Sequence, residues 1–265
     1  LELVQRFAAA ATIARETGFT GVQVHGAHGY LVSSFLSPVT NQRTDAWGGS
    51  LENRARFLLE IVRAVRRAVG PDFPVALKLN SDDFRKGGFS HDECLRVVQW
   101  LNEGALDLLE VSGGSYEQPR LIGAEGRAED AVPVRQSTRA REGYFLEYAA
   151  AIRKVARMPL MVTGGFRTRA GMEAALEADC DVIGLGRPLC VQPDFPRRLL
   201  AREYNLDPDS IKIYGFYIVR LRDLWRRYRR AGWQLITGEE GAMIGADAEQ
   251  ENKRLRDWMT GAGTG

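Results

Sequence analysis

Residues 75–114 read Val75-Ala-Leu-Lys-Leu-Asn80-Ser-Asp-Asp-Phe-Arg-Lys-Gly-Gly-Phe-Ser90-His-Asp-Glu-Cys-Leu-Arg-Val-Val-Gln-Trp-Leu-Asn-Glu-Gly104-Ala-Leu-Asp-Leu-Leu-Glu-Val-Ser112-Gly-Gly114. A short run rich in Leu and Val (75–80) precedes a segment of helical period (90–103), and a second such run (106–112) follows it. Ser90 is placed to cap the helix, Glu93 completes a capping box, and Gly104 closes it. Strand, helix, strand, with glycines after the second strand, is a parallel βα unit. The same alternation extends outward in both directions. Upstream lie a helix over 1–16, with Leu3, Val4, Phe7, Ala8 and Ala11 near the 3.6 period, a strand over 21–25, and a helix over 51–69 that ends at Gly70-Pro71. Downstream, a polar, weakly periodic stretch over 115–142 reads as a rim or lid segment. A helix (143–156), a strand (160–163), a helix (168–178), a strand (181–185) and a helix near 195–204 follow.

The strands read as apolar on both faces, as burial between helix layers requires. A dinucleotide-binding doubly wound sheet would carry G-x-G-x-x-G after its first strand, and none follows 21–25. Functional residue types sit instead at the C-terminal end of every strand, which is how barrel sites are built. The expected fold is therefore α/β, a (β/α)8 TIM barrel that is incomplete in this chain. It has about five βα units, the first three are missing, and five tilted strands cannot close. The expected division is a partial barrel over 1–205 and a helical tail over 206–265 that packs on it. Within 214–230, six arginines fall in eleven positions. Such a run suits a nucleic-acid or membrane-surface helix. Ile218, Leu221, Leu224, Trp225 and Tyr228 keep to one helical face, and we read it as a packing helix with its arginines in solvent.

Composition excludes several classes. The 265 residues are 45% hydrophobic and 26% charged, with 36 Lys+Arg against 34 Asp+Glu. That suffices for a core and is too apolar for disorder. A net charge of +2 provides no general attraction for nucleic acid or anionic membrane. No apolar run reaches the ~20 residues of a spanning helix, and LELVQRFAAA has no secretory pattern. Cys94, Cys180 and Cys190 form no CxxC, which argues against a disulfide scaffold, a zinc site or an iron–sulfur cluster. The expected compartment is the reducing cytoplasm.

His25-Gly-Ala-His28-Gly-Tyr30 follows the first strand. Two histidines could ligate a metal, yet His91 is the only other histidine and no third ligand is evident. They could equally be satisfied core residues beside a packed tyrosine. We read them as two imidazoles over a barrel mouth, placed to donate hydrogen bonds to one anionic or carbonyl oxygen, with Tyr30 as proton donor. Arg43, Asp45, Glu52, Arg54 and Arg56 read as a network that fixes a long loop rather than as catalytic groups. Gly164-Gly165 and Gly186-Arg187 follow adjacent strands, where such barrels cradle a phosphate. Glycine admits backbone N–H groups to the anion, and Arg187 adds a charge-assisted contact.

The stretch HGAHGYLVSSFLSPVTNQRTDAWGGSLENRARFLLEIV closely resembles the old yellow enzyme family of FMN-dependent NAD(P)H:flavin oxidoreductases and ene-reductases. LKLNSDDF, EVSGGSY, VTGGF and GLGRPL follow it in the family's order, and the resemblance covers about 1–200. It implies a (β/α)8 barrel with FMN across its mouth and NADH or NADPH as reductant. His25 and His28 would bind the acceptor's carbonyl or nitro oxygen, and Tyr30 would protonate its α-carbon. Lys78 stands where the family usually has arginine beside the flavin N1/O2 edge, which keeps the charge but not the planar fork. Gly164, Gly165, Gly186 and Arg187 would take the phosphate. Gly113-Gly114 is either a plain turn or a border of the flavin. No metal is implied. The partner is a small-molecule acceptor, with a homo-oligomer left open, and neither nucleic acid nor membrane. The alternative is a non-catalytic barrel fragment that needs another polypeptide to complete the flavin site. A His-dependent metalloenzyme ranks third.

Overall fold

Leu77, Leu109 and Leu160 are register partners on three successive strands, and all three are buried. This row, with Leu79, Val111 and Val162 beside it, is the seam on which the helices pack. The computed structural model describes residues 2–103, 106–114, 143–186, 188–189 and 192–201. Its strands are β1 (Val22–Gly26), β2 (Val75–Asn80), β3 (Leu108–Ser112), β4 (Leu160–Thr163) and β5 (Val182–Gly184), all parallel and in sequence order. The helices are α1 (Glu2–Glu16), α2 (Leu31–Leu36), α3 (Leu51–Val69), α4 (His91–Leu101), α5 (Leu146–Arg153), α6 (Arg169–Glu177) and α7 (Phe195–Leu200). The chain divides into two compact units, Leu1–Gly186 and Arg187–Gly265, and the sheet belongs to the first. The predicted segment 115–142 and the arginine-rich stretch 214–230 lie outside the described residues.

Local chemistry ends these elements where the sequence places their signals. Ser90 caps α4 by accepting from Glu93 N–H, and the Glu93 side chain accepts from the Ser90 backbone. Ser50 caps α3, and Gly70 ends it in the left-handed region (φ 81°). α3 buries Ala55, Phe57, Leu58, Ile61, Val62 and Val65 along one stripe and packs against α1 and α2. The Phe35 and Phe57 rings lie tilted at a centroid distance of 4.3 Å, with Phe7 and Trp47 meeting Phe57 edge-on. The short helix α2 lies inside the stretch that reads as a long connection.

A recurring latch holds helix to strand. Asp107, just before β3, accepts from Val75 N–H at 2.7 Å and pairs with Arg66 of α3. Asp181, just before β5, accepts from Leu160 N–H at 2.7 Å and pairs with Arg153 of α5. Each aspartate satisfies the first donor of a neighbouring strand, which would otherwise lack a ladder partner.

One expectation is corrected. The strands are not apolar on both faces. His25, Lys78, Glu110, Met161 and Val182 form one register row across the sheet. Gln23, His25, Lys78 and Glu110 make the face opposite the leucine seam polar. That face tolerates charge because Lys78 and Glu110 neutralise each other.

Candidate active site

Parallel strands deliver their C-terminal ends to one rim, so residues far apart in sequence converge there. His25 lies within β1, His28 two residues beyond it, and Tyr30 caps α2. The His25 ring centroid is 5.3 Å from that of His28 and 5.0 Å from that of Tyr30. Three rings that could donate to one small molecule thus share a patch, and Tyr30 is 45% exposed, open to solvent.

Beneath them lies an ionic cluster on the inner face. Lys78 Nζ donates to Glu110 Oε1 at 2.6 Å, and Gln23 Nε2 donates to Glu110 Oε2 at 2.9 Å. Burial, aided by the charge of Lys78, lowers the His25 pKa, and Glu110 opposes the shift in part. Burial, then Lys78 and His25, push the His28 pKa down to about 4. Both rings are therefore neutral near pH 7, and each carries one N–H. Neutral imidazoles suit hydrogen-bond donation to an oxygen that gathers negative charge.

The His28 shift fixes a pH dependence. From its ordinary 6.5 to about 4, the unfolded chain binds the proton that folded His28 resists. Stability is therefore full above 6.5 and falls as pH drops toward 4. We expect the urea midpoint of the His28→Gln variant to drop less between pH 7 and 4.5 than that of the parent. Equal drops would contradict the assignment.

The glycines have more than one physical reason. Gly164 and Gly165 lie beyond β4 with φ of 132° and 83°. A Cβ at Gly165 would meet the Tyr144 ring at 3.0 Å, so aromatic packing alone favours glycine there. Their N–H groups have no acceptor among the described residues. A Cβ at Gly113 would strike Phe84 and Phe145, whereas Gly114 (φ 87°) donates to Asp82 O and accepts from Asn80. Gly186 has open space around it. Arg187 and Cys190 lie outside the described residues. Cys94 and Cys180 are free and buried, and burial raises both thiols, which leaves them poor nucleophiles. Among the described residues, no group of three or more His, Cys, Asp or Glu could hold a metal ion.

The structure brings together further candidates that the motif reading passes over: Asn80, Ser112 and Thr163 at the strand ends of this rim, and Gln23 and Glu110 on the face beneath it. Glu110 left a signal, the one charge inside the run LLEVS that forms β3. The others left none, since polar residues at strand ends are ordinary.

Sequence comparison places the chain among known proteins. The profile of the NADH:flavin oxidoreductase / NADH oxidase family matches residues 1–205. The chain belongs to that family. It is 40% identical over 215 residues to the NADH-dependent flavin oxidoreductase iccE of Talaromyces variabilis, spanning 79% of this chain and 50% of that protein. It is 35% identical over 206 residues to an NADH oxidase of Thermoanaerobacter brockii, spanning 77% of this chain and 30% of that one. Among solved structures, morphinone reductase superposes with a TM-score of 0.58 at 28% identity, over 84% of this chain and 55% of its own. A 2-naphthoyl-CoA reductase complex does so with a TM-score of 0.66 at 31% identity, over 76% and 29%. The chain thus spans half or less of the curated relatives named here. Its βα units are an incomplete barrel of the old yellow enzyme type.

The residues present fit the family's FMN. The buried Thr163 Oγ1 has no hydrogen-bond partner among the described residues, lies over Gly184, and directly precedes the two glycine N–H groups. Three unmatched donors at one strand end suit an anion. Lys78 places an ammonium, already paired with Glu110, on the inner face. The β4 end lies three strand spacings from β1, about 14 Å at ~4.8 Å each, a span on the scale of a flavin mononucleotide.

Proposed function

We propose that the protein is an FMN-dependent oxidoreductase that takes hydride from NADH or NADPH and passes it to an electron-poor alkene or similar acceptor. The observation that carries this reading is the clustering of His25, His28 and Tyr30 on the rim that also bears Gly164 and Gly165, in a chain of this family. Lys78, Gly164, Gly165 and Gly186 would hold FMN, with Gly113 and Gly114 at its border. Bound there, FMN would supply the hydride relay between nucleotide and acceptor.

The chain's own residues do the rest. His25 and His28 donate to the acceptor's carbonyl or nitro oxygen and stabilise the charge that builds there. Their neutrality near pH 7 keeps them donors that lose no proton to the acceptor. Tyr30 Oη gives its proton to the acceptor carbon next to the one that receives hydride, and its exposure lets solvent restore that proton. The Lys78 ammonium favours negative charge on a flavin ring beside it. Glu110 and Gln23 hold that ammonium in place.

The test is spectroscopic. The polypeptide that carries this chain, purified whole, should be yellow and should lose its flavin absorbance on anaerobic addition of NADH or NADPH. The colour should return when an α,β-unsaturated carbonyl compound is added. A colourless protein indifferent to both nucleotides would overturn the proposal and favour a non-catalytic role.

A further inference from the structure

We infer that Ser112 is the positioning residue for His28: its hydroxyl donates to Nε2, holds the ring as the Nδ1–H tautomer, and leaves Nδ1 as the donor to the acceptor oxygen. This rests on the reading of His28 as a polarising donor.

The backbone beneath His28 is held first. Asn80 and Ser112 are register partners at the ends of β2 and β3, and they are 1% and 0% exposed. His28 has a left-handed backbone (φ 63°), uncommon for a residue with a side chain. Its N–H donates to Asn80 Oδ1 at 3.1 Å. Asn80 Nδ2 donates to Asp83 Oδ1 and to Gly114 O, both at 2.9 Å. Both amide hydrogens and the amide oxygen are thereby used. A flipped amide would set Nδ2 against an N–H and Oδ1 against two acceptors. The orientation of Asn80, and with it the turn that carries the ring, has one solution.

The ring follows from the same satisfiability argument. His28 Nε2 lies 2.7 Å from Ser112 Oγ. A neutral imidazole has one N–H, and burial near Lys78 keeps this ring neutral. If Nε2 carried the hydrogen, the Ser112 hydroxyl would need another acceptor. None is present among the described residues, and a buried hydroxyl without one is costly. With Ser112 donating to Nε2, both groups are satisfied. The ring's hydrogen is then on Nδ1, which has no partner among the described residues.

The experiment reads the ring itself. In the whole polypeptide labelled with 15N-histidine, long-range 1H–15N spectra near pH 7 distinguish protonated from bare ring nitrogens. The His28 signals are assigned by their loss in His28→Gln. We expect a protonated Nδ1 and a bare Nε2 in the parent. Ser112→Ala should move the ring toward Nε2–H and slow acceptor reduction about fivefold to tenfold, the scale of one lost hydrogen bond. Ser112→Thr, which keeps the hydroxyl, should restore both. A protonated Nε2 in the parent overturns the inference, and the parent spectrum alone decides it should Ser112→Ala not fold. Because the tautomer is read without turnover, its outcome is separate from that of the hydride-transfer assay.

Discussion

Replacing Tyr30 with phenylalanine should slow acceptor reduction by a factor on the order of 10²–10⁴, the range for loss of a positioned proton donor. Reduction of the flavin by NADH or NADPH should stay within about twofold of the parent, because that half-reaction needs no proton from the phenol. Tyr30 touches the chemistry only through its oxygen. Its ring packs 5.0 Å from His25 and its backbone caps α2, and phenylalanine keeps both features. Fold and cofactor content should therefore be unchanged, and the two half-reactions should separate in anaerobic stopped-flow traces. Equal slowing of both half-reactions would remove Tyr30 from the proton-donor role and make it a packing residue of the rim.

Arg54→Ala should destabilise the protein by about 2–4 kcal/mol, the cost of leaving two carbonyls and the half-buried Glu93 carboxylate unmatched. Against a total stability of about 5–15 kcal/mol, that is a large share. The Arg54 side chain is 5% exposed. Its guanidinium donates to Gly49 O at 3.1 Å, to Leu36 O at the end of α2, and to Glu93 of the α4 capping box. One side chain thus ties α2, the loop before α3, and α4 together. Its loss strands two carbonyls and a carboxylate. Arg54→Lys keeps the charge but has no planar fork, and should recover less than half of the loss. The measurement is the urea midpoint at constant slope, with a double-mutant cycle through Glu93→Gln to isolate the pair. A loss below about 1 kcal/mol would show that the pair behaves as a surface ion pair. Because α2 begins at the Tyr30 cap, Arg54→Ala should also loosen the rim.

The loop network around Arg54 shows how far sequence reasoning reaches. Its acidic and basic members are legible in NQRTDAWGGSLENRAR, and Arg43–Asp45 pairs within that stretch. The partners of Arg54 and Glu52 are not legible there, since Glu93 and Arg96 arrive from α4, about forty residues on. The capping box at Ser90 and Glu93 is a local device and reads directly. That Glu93 also receives Arg54 is a tertiary fact.

His25, His28 and Tyr30 lie within six residues, so their convergence on one patch was determined by the sequence alone, as was the parallel order of the strands from periodicity and helix-ending glycines. Tertiary structure decided what surrounds them. Gln23 meets Glu110 across 87 residues, His28 meets Ser112 across 84, and its backbone meets Asn80 across 52. Those contacts depend on strand register, and a slip of one residue would turn each of these side chains to the opposite face. No local pattern encodes that register. It is set by the leucine seam of the whole sheet, where burial of apolar area outweighs the preference of any single residue.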